Sequence, residues 1–313
     1  MLSLLYLSFA SIFPVFGWIF VGALLIRLFP TLQAAFRRGE KFVFFLGIPG
    51  ILFITASRIE PAAAFSSNHT LAGIIATVCC VAGSWQIAKW RGHTLEQRGI
   101  VAQAGFRANL AIIGLALCAS TFGEEGLALA ALPVAVWTLI FNVLAVFVLN
   151  AAYGGQFAAL PLAIALLKNP LIIGICLGFG AALLALPIPQ AIYQGGSYFT
   201  AAVIPLSLIL LGGAIDLKPS RESRKATRLA CLLRLLIAPL LSILIALLMG
   251  VRNMELGIYF LLLSGPVAAA SHIMVTAKGG DGKLSANIVV LSTVLAPLTM
   301  TLGFFLLKVL ALV

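Results

Sequence analysis

The sequence predicts an all-α integral membrane protein of ten transmembrane helices, folded as two inverted five-helix repeats with crossed, broken helices four and nine. Three observations predict it: long apolar runs, basic residues confined to alternate connections, and special residues that recur half a chain apart. Of the 313 residues, 62% are hydrophobic and 9% charged, and the mean hydropathy is +1.14, far from the composition of a soluble domain. The apolar runs approach the roughly 20 residues that a helix needs to cross about 30 Å of hydrocarbon.

The spans fall at 4–27, 41–57, 70–90, 97–121, 125–150, 164–186, 194–216, 226–250, 254–277 and 284–312. The first has no basic stretch before it and Arg27 after it, so it reads as a retained helix and not a cleaved signal peptide. The second carries Pro49 and the seventh Pro205, each expected to kink its helix. The third carries Lys89 next to its last residue, and the fourth is interrupted at mid-span by Gly105, Asn109 and Gly114. The fifth follows Gly123-Glu124-Glu125, and the sixth places Gly174 and Gly178 at the spacing of close helix contact, next to Gly180 and Ala181. The eighth follows the basic segment that includes Lys218, Arg221, Arg224 and Lys225; the ninth is interrupted by Ser264, Gly265 and Pro266; the tenth follows Lys283. No long hydrophilic segment is left for a soluble domain.

Formal net charge is +11. Its placement decides what it means. Fifteen basic residues follow spans one, three, five, seven and nine, from Arg27 to Lys283, whereas the other side holds Arg58, Arg252 and Lys308. This asymmetry fits the positive-inside rule and predicts cytoplasmic basic loops with both termini outside, in a cell inner (plasma) membrane. The charge is therefore topological, with no nucleic acid as partner. All five cysteines lie within predicted spans without a CxxC pair, which points to packing, and no metal or cofactor is expected.

A shift of 156 residues superposes Pro14 on Pro170, Gly22 on Gly178, Pro49 on Pro205, Gly123 on Gly279, Glu125 on Asp281 and Gly126 on Gly282. Two repeats follow, 1–155 with helices one to five and 156–313 with helices six to ten. Five is odd, so the second repeat enters the membrane inverted, as in secondary transporters whose site lies where the repeats meet.

Unwound backbone is tolerated at membrane depth only where protein buries it or a cavity bathes it. The breaks in spans four and nine therefore mark the candidate binding site: Asn109, Arg107, Ser264, Gly265, Pro266, Ser271 and His272. Half-helix N-termini favour anions, Asn109 supplies amide donors, and a guanidinium at Arg107 pairs with a carboxylate. Arg107 has a second reading, as the structural partner of a backbone carbonyl or of Glu96. Asn109 has one as a helix cap, and His272 one as a packing residue. The nine acidic residues all fall at span ends or in loops, which speaks against a carboxylate-based sodium site or an Asp-pair antiporter and for an anion. No paired aspartates, HExxH or Ser/His arrangement suggests an enzyme.

Five stretches carry a resemblance over essentially the whole chain: "KFVFFLGIPGILF" at 41–53, "GFRANLAIIGLAL" at 105–117, "LLKNPLIIGICLGF" at 166–179, "AAVIPLSLILLGGAID" at 201–216 and "NIVVLSTVLAPLTM" at 287–300. In that order they resemble the auxin efflux carrier family, in particular its bacterial malonate and malate permease members. The resemblance implies a scaffold of helices one, two, six and seven, and a transport domain holding crossed helices four and nine. It also implies a carboxylate-binding asparagine at Asn109. Plant members follow that asparagine with proline, where this chain has Leu110. Many bacterial relatives carry Pro-x-Ala-x-Asn in the second crossover, where this chain has Pro266-Val267-Ala268-Ala269-Ala270, leaving Ser271 or His272 to compensate. The expectation is a secondary transporter moving a small organic anion, a mono- or dicarboxylate, across the bilayer by elevator-type alternating access. A sodium-coupled carrier of the bile-acid symporter type is the alternative. Substrate identity, proton or sodium coupling and a homodimer stay open.

Overall fold

The computed structural model describes residues 2–58, 68–154, 160, 164, 167–214 and 224–313. The loop residues Glu60, Asp216, Lys218, Arg221 and Glu222, the opening of the sixth span and the end of the seventh lie outside the described residues. Among the described residues the chain is helical apart from turns and one isolated antiparallel bridge, Ala108 with Val267.

In chain order the helices are α1 (Leu2–Leu28), α2 (Gln33–Phe42), α3 (Ile48–Ala56), α4 (Asn68–Trp90), α5 (Leu95–Phe106), α6 (Leu115–Tyr153), α7 (Pro170–Leu183), α8 (Gln190–Ala214), α9 (Arg224–Leu232), α10 (Ala238–Leu248), α11 (Asn253–Leu263), α12 (Ala270–Ala277) and α13 (Gly282–Val309). Wide π turns join α2 to α3 at Val43–Gly47 and α9 to α10 at Leu233–Ile237, and a third, Leu110–Gly114, leads into α6. The first two precede Pro49 and Pro239. A proline lacks the amide hydrogen and crowds the carbonyl four residues back, and the wider turn gives that carbonyl room.

Among the described residues, seven helical segments are long and apolar enough to cross a membrane, and Pro170–Leu183 and Asn253–Leu263 are shorter apolar helices. The sequence expects ten. Interruption shortens α5 and α11, the sixth span is described only from 167 onward apart from residues 160 and 164, and the end of the fourth span runs into the fifth as one element. That element turns at Gly123, whose φ of 64° and ψ of −147° fall where only glycine is unstrained. Gly279, its partner at the 156-residue offset, also has positive φ, 71°. Beyond it the Asp281 carboxylate accepts from Leu284 N at 2.8 Å and caps α13.

Helix packing joins one half of the chain to the other. α1 lies along α8, and α3 lies along α7. At the first contact a methyl group on Gly22 would overlap the Ile209 carbonyl; at the second, one on Gly178 would overlap the Phe53 carbonyl. The second pair is the first with its halves exchanged, since Gly178 lies 156 residues after Gly22 and Phe53 lies 156 before Ile209. α4, α5, α6 and α9 to α13 pack against one another around Trp137, Tyr259, Phe260 and Phe304. Outside, Phe20, Phe45, Leu177, Leu240 and Leu298 are exposed. Such a surface suits lipid and would aggregate in water.

Candidate functional site

α5 ends because the chain leaves helical space at Arg107 (φ −83°, ψ 84°) and Asn109 (φ −82°, ψ 76°). α11 ends at Leu263, and Ser264 to Ala269 carry the chain to α12 with Gly265 and Pro266 in the gap. The two interruptions pair. Asn109 N donates to Pro266 O at 2.9 Å, and Ala268 N donates to Arg107 O at 3.0 Å. Val267 N donates to Ser292 Oγ at 3.1 Å, so unwound backbone finds partners from both broken segments and from α13.

Two guanidiniums flank this crossing. Arg107, 7% exposed, donates from Nη1 to Phe141 O at 3.0 Å and from Nη2 to Asn142 Oδ1 at 2.8 Å, both on α6. Its hydrogen bonds thus go to a backbone carbonyl and an amide, both neutral, and Glu96 is not among these partners. Arg234, 1% exposed, projects from the π turn before α10. Its Nε donates to Gly265 O at 2.9 Å, and its Nη1 donates to Phe106 O at 2.9 Å and Gly105 O at 3.3 Å. Among the described residues neither arginine hydrogen-bonds a carboxylate, so each brings a positive charge to the crossing.

A cavity of about 600 Å³ opens beside the bridge. Of the expected site residues, Arg107 and Asn109 line it, together with Thr138, Asn142, Asn169 and Ser207. Asn109 Oδ1 accepts from Ile112 N at 3.4 Å and caps the following turn, which leaves the amide nitrogen as the donor end. Ala268, Ala269 and Ala270 bring the start of α12 to the wall; Ala268 N is taken by Arg107 O, and Ser271 N and His272 N donate to Ala268 O and Ala269 O. Among the described residues Glu40 is the one acidic residue in the lining, and Lys41 is beside it.

The other five expected residues are not in the lining. Ser264 Oγ turns back to Phe260 O, Gly265 O is taken by Arg234 and Pro266 O by Asn109. Ser271 is buried, and the His272 ring pairs with Ser285 Oγ at 2.9 Å. Of these, Gly265 O and Pro266 O tie the second crossover to Arg234 and to Asn109. Arg234 escaped the sequence reading, although an arginine inside "LLRLLIAPLL" is itself a signal, because charge within a span demands a partner.

A second polar cluster ties α3 and α8 to the corner at Gly123. Arg58 Nη1 and Glu124 Oε2 are 2.7 Å apart, Ser197 Oγ donates to Glu124 Oε1 at 2.6 Å, and Arg58 stacks over the Tyr193 ring at 4.8 Å. Arg58 follows the end of α3 and Lys41 lies in the last turn of α2, about 25 Å apart at helical rise.

Fold and site together define an α-helical membrane protein with interrupted, crossed helices beside a cavity, an arrangement used by secondary carriers. Residues 156–304 match the family model described as "Membrane transport protein". Over 220 residues, 67% of this chain and 68% of the other, the sequence is 26% identical to the Rhizobium meliloti (strain 1021) protein named "Putative malonate transporter". With the five motifs, these matches make the chain similar to membrane transport proteins, and the motifs resemble those of the auxin efflux carrier family.

Proposed function

We propose that the protein is a secondary carrier of a small organic anion, a mono- or dicarboxylate, which binds in the cavity against the Asn109 amide and the Arg107 guanidinium. The observation that carries this reading is the cavity itself: two buried arginines with neutral hydrogen-bond partners flank the crossing, and amide groups line one wall. An anion there replaces lost hydration with preorganised donors. The name of the Rhizobium relative makes malonate the first substrate to try. Ser264, Gly265, Pro266, Ser271 and His272 shape the second crossover without touching the substrate.

Movement follows from inverted repeats, 1–155 and 156–313, with helices four and nine crossed within ten. The exchange of Gly22–Ile209 for Gly178–Phe53, and the positive φ shared by Gly123 and Gly279, support this symmetry. The paired α1, α3, α7 and α8 form the scaffold, and the remaining helices carry the site past it as an elevator. Basic loops lie in the cytoplasm, both termini are periplasmic and the membrane is the inner one. Glu40, Lys41, Asn169 and Ala214, at the cavity rim, adjoin basic segments, so this state faces inward, with the Arg58–Glu124 cluster closing the outer side.

The test is uptake of labelled malonate and succinate into proteoliposomes, with wild type, Asn109→Ala and Arg107→Ala compared at equal reconstitution. Uptake by wild type and its loss in both variants are expected. Equal uptake in all three proteins would remove the site assignment, and no carboxylate flux in wild type would remove the function.

A further inference from the structure

We propose that Arg234 is a built-in substitute for a coupling cation, so that this carrier works without sodium; the inference rests on the carrier reading above. In cation-coupled carriers, the carbonyls of unwound segments and of half-helix C-termini ligate the ion at the crossing. Here the same class of carbonyl is occupied by a side chain. Arg234 takes Phe106 O and Gly105 O from the last turn of α5, and Gly265 O just beyond the end of α11.

Charge makes the substitution necessary. Each half-helix C-terminus carries about half a negative charge, so two of them meeting in low dielectric place roughly one negative charge beside a pocket meant for an anion. One guanidinium cancels that amount. It is permanently charged, and its planar fork reaches carbonyls on both broken helices at once, whereas a lysine would offer a single point. Arg107, bonded instead to α6, remains as the positive charge the substrate sees. Arg234 does not line the cavity. It is a positioning residue: it holds the Asn109 segment at the depth where the pocket needs it and prevents two helix ends from repelling the anion.

The experiment uses the full chain in liposomes, labelled malonate as probe, and external sodium replaced by choline at equal ionic strength. Wild type is expected to transport equally in both, because the cation position is filled. Arg234→Ala removes the side-chain donor from Gly105 O and Gly265 O and leaves Phe106 O with Ala108 N alone, so its rate in choline falls by about tenfold or more. Sodium restores part of that rate by entering the vacated position. Arg234→Lys stays sodium-independent at an intermediate rate.

A wild-type rate more than about fivefold higher in sodium than in choline would overturn the proposal, since that is coupling of ordinary size. So would Arg234→Ala transporting like wild type in choline, or staying unresponsive to sodium in both rate and melting temperature. If Arg234→Ala does not fold, the wild-type melting temperature decides: a rise specific to sodium over choline sinks the substitution, and equal values sustain it. That comparison needs no flux, so a wild type that moves no carboxylate would end the carrier reading while Arg234 is judged separately.

Discussion

Replacing Arg107 by glutamine separates the charge the substrate feels from the hydrogen bonds that hold the crossover. The guanidinium is tied to Phe141 O and Asn142 Oδ1 at 3.0 and 2.8 Å, and glutamine keeps an amide donor for one of them. What disappears is a unit charge on the cavity wall. A carboxylate about 5 Å away, at an effective dielectric near 20, is attracted by about 3 kcal/mol. Losing that attraction raises the half-saturating concentration of malonate by a little over a hundredfold, at about 1.4 kcal/mol per factor of ten. Uptake into proteoliposomes over a wide malonate range, with melting temperature measured on the same samples, is the assay. The maximal rate should change far less than half-saturation, because ground state and translocating state lose the same contact. A half-saturation unchanged from wild type, at unchanged melting temperature, would make Arg107 a structural pin and refute the reasoning.

Gly22→Ala and Gly178→Ala should each cost about 1–3 kcal/mol through overpacking against the Ile209 and Phe53 carbonyls. Gly17→Ala, with open space around its position, should leave the melting temperature unchanged or higher. Gly123→Ala forces a side chain into the conformation at φ 64°, ψ −147°, and should lower the melting temperature by an amount equivalent to about 1–3 kcal/mol. Glu124→Gln breaks an ion pair whose side chains are 31% and 64% exposed, so the loss of stability should stay under about 1 kcal/mol. The same energy, acting between inward and outward states, shifts their ratio by up to about fivefold. A cysteine at Thr138, in a background with the five native cysteines replaced by serine, should then react more slowly with an impermeant maleimide applied from the cytoplasmic side. An unchanged rate would mean that the cluster biases nothing.

The interruptions were legible because glycine, asparagine and proline inside hydrocarbon disfavour a continuous helix: Asn109 lies in the gap beyond α5, and Gly265-Pro266 lies in the gap beyond α11. The bridge between Ala108 and Val267 was not legible. Two residues so far apart in the chain leave no local pattern that announces pairing. Orientation was lost for a related reason. Ser271 and His272 looked polar enough to meet a substrate, yet the helical turn buries Ser271 and sends the His272 ring to Ser285, while Ala270, which no polarity rule would select, lines the cavity. Arg234 was hidden by averaging, since one charge among leucines barely lowers the hydropathy of a span.

Breaking two helices inside a bilayer frees carbonyls and amides that lipid cannot satisfy, and each one left unpaired costs a few kcal/mol. The chain meets this demand in three ways. Backbone satisfies backbone across the bridge. Side chains take the carbonyls, with Arg234 covering Gly105, Phe106 and Gly265. The side-chain donor is treated differently: Asn109 caps one turn through Oδ1 and keeps its amide hydrogens, and the start of α12 reaches the cavity wall through alanines that offer no side-chain acceptor. Backbone donors are consumed too, Asn109 N by Pro266 O and Ala268 N by Arg107 O, so the Asn109 amide nitrogen is the side-chain donor that the repair leaves at the cavity. With its carbonyls covered, that repair exposes little negative potential to the cavity, so an anion of the kind proposed would meet the Arg107 charge and the Asn109 amide.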